Sequence, residues 1–97
     1  MPLRRTEYLR NGRSPVKLTI NNHRWTIQDS VLYGLCSPVE RLIDIAWDLR
    51  RRKRLEIVIH ELIHAVSPGR SEAKVGAEAK GLARALWKYG YRRRKHG

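Results

Sequence analysis

Apolar and polar residues alternate along the first half of the chain, which is the pattern of half-buried strands. The alternation predicts strands at Val16–Ile20 and at residues 25–28, and a hairpin between them at Asn21 and Asn22, because asparagine tolerates positive φ. Residues 31–33 are expected to form a further strand that ends at Gly34. Leu42–Ala46 predicts a last strand before the spacing of apolar residues changes.

The second half of the chain has apolar residues at helical spacing. A first helix is predicted over residues 55–66, with one apolar stripe made of Leu55, Val58, Ile59, Leu62 and Val66. Residues 67–70 predict a turn, Ser71 an N-cap, and Gly90 the end of a second helix over Glu72–Tyr89. The apolar stripe of this second helix consists of Val75, Ala79, Leu82, Ala83 and Leu86.

Strands followed by helices predict an α+β fold, in which a small twisted N-terminal β-sheet packs on two C-terminal helices. A length of 97 residues indicates one domain over residues 1–97, with a flexible N-terminal arm at about 1–15 and a basic tail at about 91–97. The sequence contains no apolar run of membrane length and no secretory signal, so we expect no membrane partner. The single cysteine, Cys36, excludes a disulfide within the chain and favours the cytoplasm. We expect a monomer.

The segment His60-Glu61-Leu62-Ile63-His64 is the pattern with the clearest chemistry. Residues four apart lie on the same face of a helix, so His60 and His64 can bind one metal ion together. Both histidines lie away from the apolar stripe of their predicted helix, and Glu61 is beside them as a candidate general base. The pattern is that of zinc peptidases, in which zinc polarises a water molecule and the glutamate takes its proton.

A catalytic zinc ion takes three protein ligands, so a third ligand is expected on the second helix. Helical counting places Glu72 near the middle of the apolar stripe, where an ionised carboxylate is costly unless it binds a metal or a cation. A short turn between antiparallel helices would bring Glu72 beside His64 and Glu78 nearer to His60. This reasoning favours Glu72 and leaves Glu78 as the alternative. Candidates for stabilising an oxyanion are His23, Tyr33, Tyr89 and Tyr91.

The region from Leu55 to Arg92 resembles the small SprT-like or minimal gluzincin peptidases of phages and bacteria. The similarity rests on HELIHAV, the following Ser71-Glu72, the run at 81–87 and Gly90-Tyr91-Arg92, and it extends upstream to residues 22–27, 34–36 and 41–45. It implies a zincin fold that binds one zinc ion per chain through His60, His64 and Glu72. It also implies a protein or peptide substrate bound along a sheet edge at residues 41–46. A phage-encoded member would act in the host cytoplasm.

Charge suggests a second kind of partner, because 21 Lys and Arg against 9 Asp and Glu give a net charge of +12. Basic residues cluster at two places: Arg50, Arg51, Arg52, Lys53 and Arg54, and Arg92, Arg93, Arg94 and Lys95. Such a surface attracts polyanions and predicts non-specific affinity for nucleic acid. Two hypotheses follow from the sequence. The chain is a zinc metallopeptidase, or it is a small nucleic-acid-binding protein on a zincin scaffold with a structural or inactive metal site.

Overall fold

The fold was obtained as a computed structural model that describes residues 15–30 and 34–92. The predicted strand at 31–33 with Tyr33, most of the predicted arm, and Arg93, Arg94 and Lys95 of the basic tail lie outside the described residues. The α+β prediction is confirmed. Four strands precede two helices: β1 (Val16–Ile20), β2 (His23–Ser30), β3 (Gly34–Ser37), β4 (Leu42–Ala46), α1 (Arg51–Val66) and α2 (Glu72–Tyr89).

The hairpin between β1 and β2 forms where the two asparagines predicted it. Asn21 and Asn22 have φ of 50° and 65°, the left-handed values that a tight hairpin turn requires at both central positions. Asn21 also donates a side-chain hydrogen bond of 3.0 Å to the carbonyl oxygen of Val66. This bond satisfies one of the carbonyls left without a helical partner at the C-terminal end of α1.

The sheet has the strand order β1-β2-β4-β3, with β2 and β4 parallel and the other two pairs antiparallel. The prediction that residues 41–46 form a sheet edge is therefore wrong, because β4 is hydrogen-bonded on both sides. Gly34, which was predicted to end a strand, is the first described residue of β3. Within the described part of the chain, β3 is the edge strand next to β4.

The core lies between the sheet and α1. It contains the side chains of Ile20, Trp25, Ile43 and Ile45 from the sheet and of Ile57 and Ala65 from α1. The side of α1 that is buried consists of Ile57, Glu61 and Ala65. The predicted stripe is thus only partly correct: Val58 and Leu62 pack against the core, whereas Val66 is 50% exposed. α1 contacts the sheet on one side and α2 on another, so a single apolar stripe does not describe its packing.

α2 packs on α1 through small residues. Val75, Ala79 and Ala83 are fully buried, as predicted, whereas Leu82 is about half exposed. The backbone N–H of Lys74 donates to the Ser71 hydroxyl, and Gly90 ends the helix with a φ of 112°, which confirms both caps. None of the helices in the described part of the chain combines the length and the apolar character needed to cross a bilayer.

Candidate metal centre

Three side chains converge at the end of the helical hairpin that the turn between α1 and α2 closes. His60 and His64 lie one turn apart on α1, with ring centroids separated by 5.0 Å, and Glu72 reaches them from the first turn of α2. Glu72 Oε1 is 2.6 Å from His60 Nε2, and Glu72 Oε2 is 2.8 Å from His64 Nε2. Each residue offers one ligand atom, and these three atoms lie within 4.8 Å of one another. The structure thus forms a group that can bind a metal ion.

Local sequence explains why Glu72 arrives at this position. The turn at residues 67–71 reverses the chain, and the Ser71 cap fixes the first turn of α2. Glu72 faces α1, as helical counting predicts, but its side chain is 74% exposed and is therefore not buried between the helices. The hydrogen bond from His60, followed by the charges of both histidines, lowers the pKa of Glu72 below its ordinary value.

The alternative ligand, Glu78, lies elsewhere. Its carboxylate pairs with Arg70 at 2.8 Å, across the turn that connects the helices. It lines a shallow apolar groove between α1 and α2 and is not part of the three-residue group. The antiparallel helices therefore place Glu72 against both His60 and His64, whereas Glu78 pairs with Arg70.

The donor set fits a zinc ion in its chemistry and in its geometry. Two imidazoles and one carboxylate are the ligands of a common class of catalytic zinc site. Donors around a tetrahedral ion with bonds of about 2.1 Å lie roughly 3.4 Å apart. The Glu72 oxygens are 2.6 Å and 2.8 Å from the imidazole nitrogens, so each of these two separations would increase by less than about 1 Å to admit an ion. Exposure of Glu72 leaves room for this adjustment, because its side chain is not packed.

Glu61 occupies a different environment from the three candidate ligands. Its side chain is buried against the sheet, with 8% of the residue exposed. Burial raises the pKa of Glu61, the nearby His60 and His64 lower it by smaller amounts, and the charge of Glu72 adds a small increase. A carboxyl group with a raised pKa beside a metal site is suited to accept a proton and then to return it. Glu61 therefore lies behind the three candidate ligands, on the side of the sheet.

β3 forms the opposite wall of the site. A Cβ atom placed on Gly34 would lie 3.0 Å from Glu61 Oε2 and 2.8 Å from Ile57 Cγ2, so the glycine allows the strand to approach α1 closely. Sequence reasoning missed this residue, although an isolated glycine at a strand end is a known signal of close approach. An open cavity of about 340 Å³ lies here, lined by Gly34, Leu35, Cys36, Pro38, Glu61, His64, Pro68 and Glu72.

The remaining residues suggested by chemistry are placed as follows. Cys36 lines the cavity but does not belong to the three-residue group, and burial, followed by the charge of Glu61, raises the pKa of its thiol. Tyr89 and Tyr91 are exposed at the far end of α2, where their rings contact each other, and His23 lies at the start of β2. None of these last three residues lines the cavity.

The basic cluster at residues 50–54 contains one largely buried arginine and four exposed basic residues. The prediction that all five residues face a nucleic acid is wrong for Arg54, whose side chain is only 12% exposed and is paired with Asp29. Arg54 also donates a 3.2 Å hydrogen bond to the Ala46 carbonyl oxygen, which attaches the start of α1 to the sheet. The cluster was expected to precede the helix, but α1 already begins at Arg51. Arg50, Arg51, Arg52 and Lys53 are exposed.

Comparison with known proteins gave no relative. No protein-family model matches the chain, and neither the curated proteins nor the solved structures contain a significant match.

Proposed function

We propose that the chain is a zinc-dependent peptidase. The observation that carries the proposal is the convergence of His60, His64 and Glu72 with a buried Glu61 directly beside them. A structural metal site needs a closed set of four ligands, whereas a catalytic site keeps one position open. Two of the three donors, His64 and Glu72, line an open cavity, which favours the catalytic kind.

His60, His64 and Glu72 would hold the zinc ion, which supplies a Lewis acid for a water molecule and for the carbonyl of a peptide bond. Glu61 takes a proton from the attacking water, because its raised pKa makes it a stronger base than an ordinary glutamate. It then donates that proton to the amine as the peptide bond breaks. The burial of Glu61 limits its contact with bulk water and keeps its carboxyl group directed toward the cavity.

The edge of β3 is the part of the site suited to an extended peptide. β3 lines the cavity through Gly34, Leu35 and Cys36, and no described strand pairs with its outer side. Its unpaired backbone groups can bind a substrate as an added strand, which depends on main-chain hydrogen bonds rather than on sequence. We therefore expect broad specificity, with the substrate bound at β3 instead of at residues 41–46.

Metal content tests the ligand assignment. The protein purified without chelator or affinity metal should contain one zinc ion per chain by mass spectrometry. Glu72→Ala should lose the zinc ion, and Glu78→Ala is the matched control that should keep it, because Glu78 is paired with Arg70. A well-folded wild-type protein without zinc would contradict the proposal.

Cleavage of an unfolded protein such as casein tests the catalytic role. Glu61→Gln should retain zinc and fold while losing cleavage by a factor of at least about 100, the usual contribution of a general base. Equal cleavage by the wild type and by Glu61→Gln at full zinc content would show that the activity does not come from this site.

A further inference from the structure

The outward face of α2 carries a basic stripe made of Lys80, Arg84 and Lys88. These residues are four apart and exposed, so their side chains project from one side of the helix at intervals of about 6 Å. The two carboxylates of α2 do not face this stripe, because Glu72 contacts the histidines and Glu78 is paired with Arg70. Within the described chain, no carboxylate lies within ion-pair distance of the three stripe residues. Their charges are therefore available to a partner.

The helix surface beside the basic stripe carries small side chains. Ala77, Gly81 and Ala85 are exposed on the same side of α2, so no bulky side chain prevents the helix from lying against another surface. The end of the stripe is extended by Arg92, whose guanidinium group lies 3.6 Å from the centre of the Trp87 ring. Arg92 also donates hydrogen bonds to the carbonyl oxygens of Trp87 and Tyr91, which hold its charge in place.

The start of α1 adds positive charge at the same end of the molecule. The two helices run antiparallel, so the exposed Arg51 and Arg52 lie at the end of the hairpin where Lys88 and Arg92 are found. Glu72 and Lys88 are separated by 16 residues of α2, which corresponds to about 24 Å. The charged end is thus distant from the candidate metal centre.

We propose that the basic stripe binds the phosphate backbone of duplex DNA without sequence specificity. A row of cations about 6 Å apart on a flat helix face can contact several phosphates at once, and long side chains adapt to their spacing. A membrane-binding helix needs large apolar residues beside its cations, but this face carries alanine and glycine. A protein partner would be expected to bury an apolar or aromatic centre, but the aromatic residue beside the stripe, Trp87, is partly buried and carries the Arg92 guanidinium over its ring. DNA binding by the basic stripe is independent of the proposed zinc site, and both can act in one molecule.

The experiment compares two variants that remove the same charge. In the first, Lys80, Arg84 and Lys88 are changed to Gln; in the second, the exposed Lys17, Arg24 and Arg41 of the sheet region are changed to Gln. Binding to a fluorescent 30-base-pair duplex is measured by anisotropy from about 20 to 200 mM salt. Circular dichroism verifies the fold, and the single variant Arg84→Gln is measured in case the triple variant does not fold.

We expect the stripe variant to lose at least tenfold in affinity at about 50 mM salt, and the control variant less than threefold. If all three residues contact phosphates, the slope of log K against log salt should decrease by about 2.7. Arg84→Gln alone should reduce the slope by about 0.9. Binding should persist in EDTA and in Glu72→Ala, which separates this proposal from the zinc site.

Three outcomes would overturn the proposal. The first is an equal loss of affinity in the two triple variants, which would reflect overall charge alone. The second is the absence of wild-type binding at about 20 mM salt. The third is an affinity for phosphatidylserine vesicles or for polyglutamate that depends on the stripe and equals the affinity for DNA, when the ligands are compared at the same concentration of negative charge.

Discussion

Replacement of Gly34 by alanine tests the contact on which the position of Glu61, the proposed base, depends. The added methyl carbon would lie 2.8 Å from Ile57 Cγ2 and 3.0 Å from Glu61 Oε2. Both distances are shorter than the normal separation of about 3.5 Å between non-bonded atoms, so α1 and β3 would have to move apart. Neither neighbour is the free end of a long surface side chain, because Ile57 and Glu61 are both buried.

The size of the effect follows from two opposing contributions. Overpacking of a buried contact costs about 1–3 kcal/mol. Alanine restricts the backbone of the unfolded chain more than glycine does, and this entropic effect stabilises the folded protein by about 0.5–1 kcal/mol. We therefore expect Gly34→Ala to lower the free energy of unfolding by about 1–2 kcal/mol, and the melting temperature by roughly 5–15 °C.

Urea unfolding followed by circular dichroism measures this change. Gly81→Ala is the matched control, because a Cβ atom at Gly81 meets no atom within 4 Å and the position is an exposed part of α2. Alanine there should stabilise the protein by up to about 1 kcal/mol. If Gly34→Ala is as stable as the wild type, β3 does not approach α1 as described and the argument for the wall of the cavity fails.

Three other predictions concern stability. Arg54→Ala should lower the free energy of unfolding by about 1.5–3 kcal/mol, because it removes a charged hydrogen bond to the buried Asp29 carboxylate, whereas the exposed Arg52→Ala should change it by less than about 0.5 kcal/mol in the same urea assay. In the metal-free protein, Glu61 binds a proton more tightly in the folded state than in the unfolded state. The stability that this protonation contributes is lost as pH rises through the raised pKa of Glu61. Glu61→Gln does not lose this contribution, so the free energy of unfolding of the variant should exceed that of the wild type by an amount that grows between about pH 4 and pH 8 in parallel urea titrations. A difference that does not change with pH would contradict the raised pKa. Removal of zinc with a chelator should lower the melting temperature, since zinc at 100 times its Kd contributes about 2.7 kcal/mol, and an unchanged melting curve would indicate that no metal was bound.

Features that depend on local chemistry could be predicted from the sequence. Asn21 and Asn22 form the hairpin turn, Ser71 and Gly90 cap α2, and the spacing of His60 and His64 places both on one helix face. Each of these features is determined by residues close together in the chain. Short-range patterns indicate them because the physical cause lies within one turn of structure.

Features that depend on distant contacts could not be predicted. α1 begins at Arg51 with no side-chain cap and with basic residues in its first turn, where the helix dipole disfavours positive charge. The contact that compensates joins Arg54 to Asp29, which is 25 residues away. The internal position of β4 is equally non-local, since it depends on pairing with β2 and β3 together.

The two halves of the candidate site rely on different contacts and should respond separately to substitution. The metal ligands belong to the helical hairpin, where the Ser71 cap and the turn at residues 67–71 position Glu72. The environment of Glu61 depends instead on β3, because Gly34 allows the strand to cover its carboxyl group. If the proposed function is correct, Gly34→Ala should retain zinc while it reduces cleavage, since it displaces Glu61 and leaves the three candidate ligands in place. Loss of zinc and of cleavage together in this variant would show that the sheet also positions the ligands.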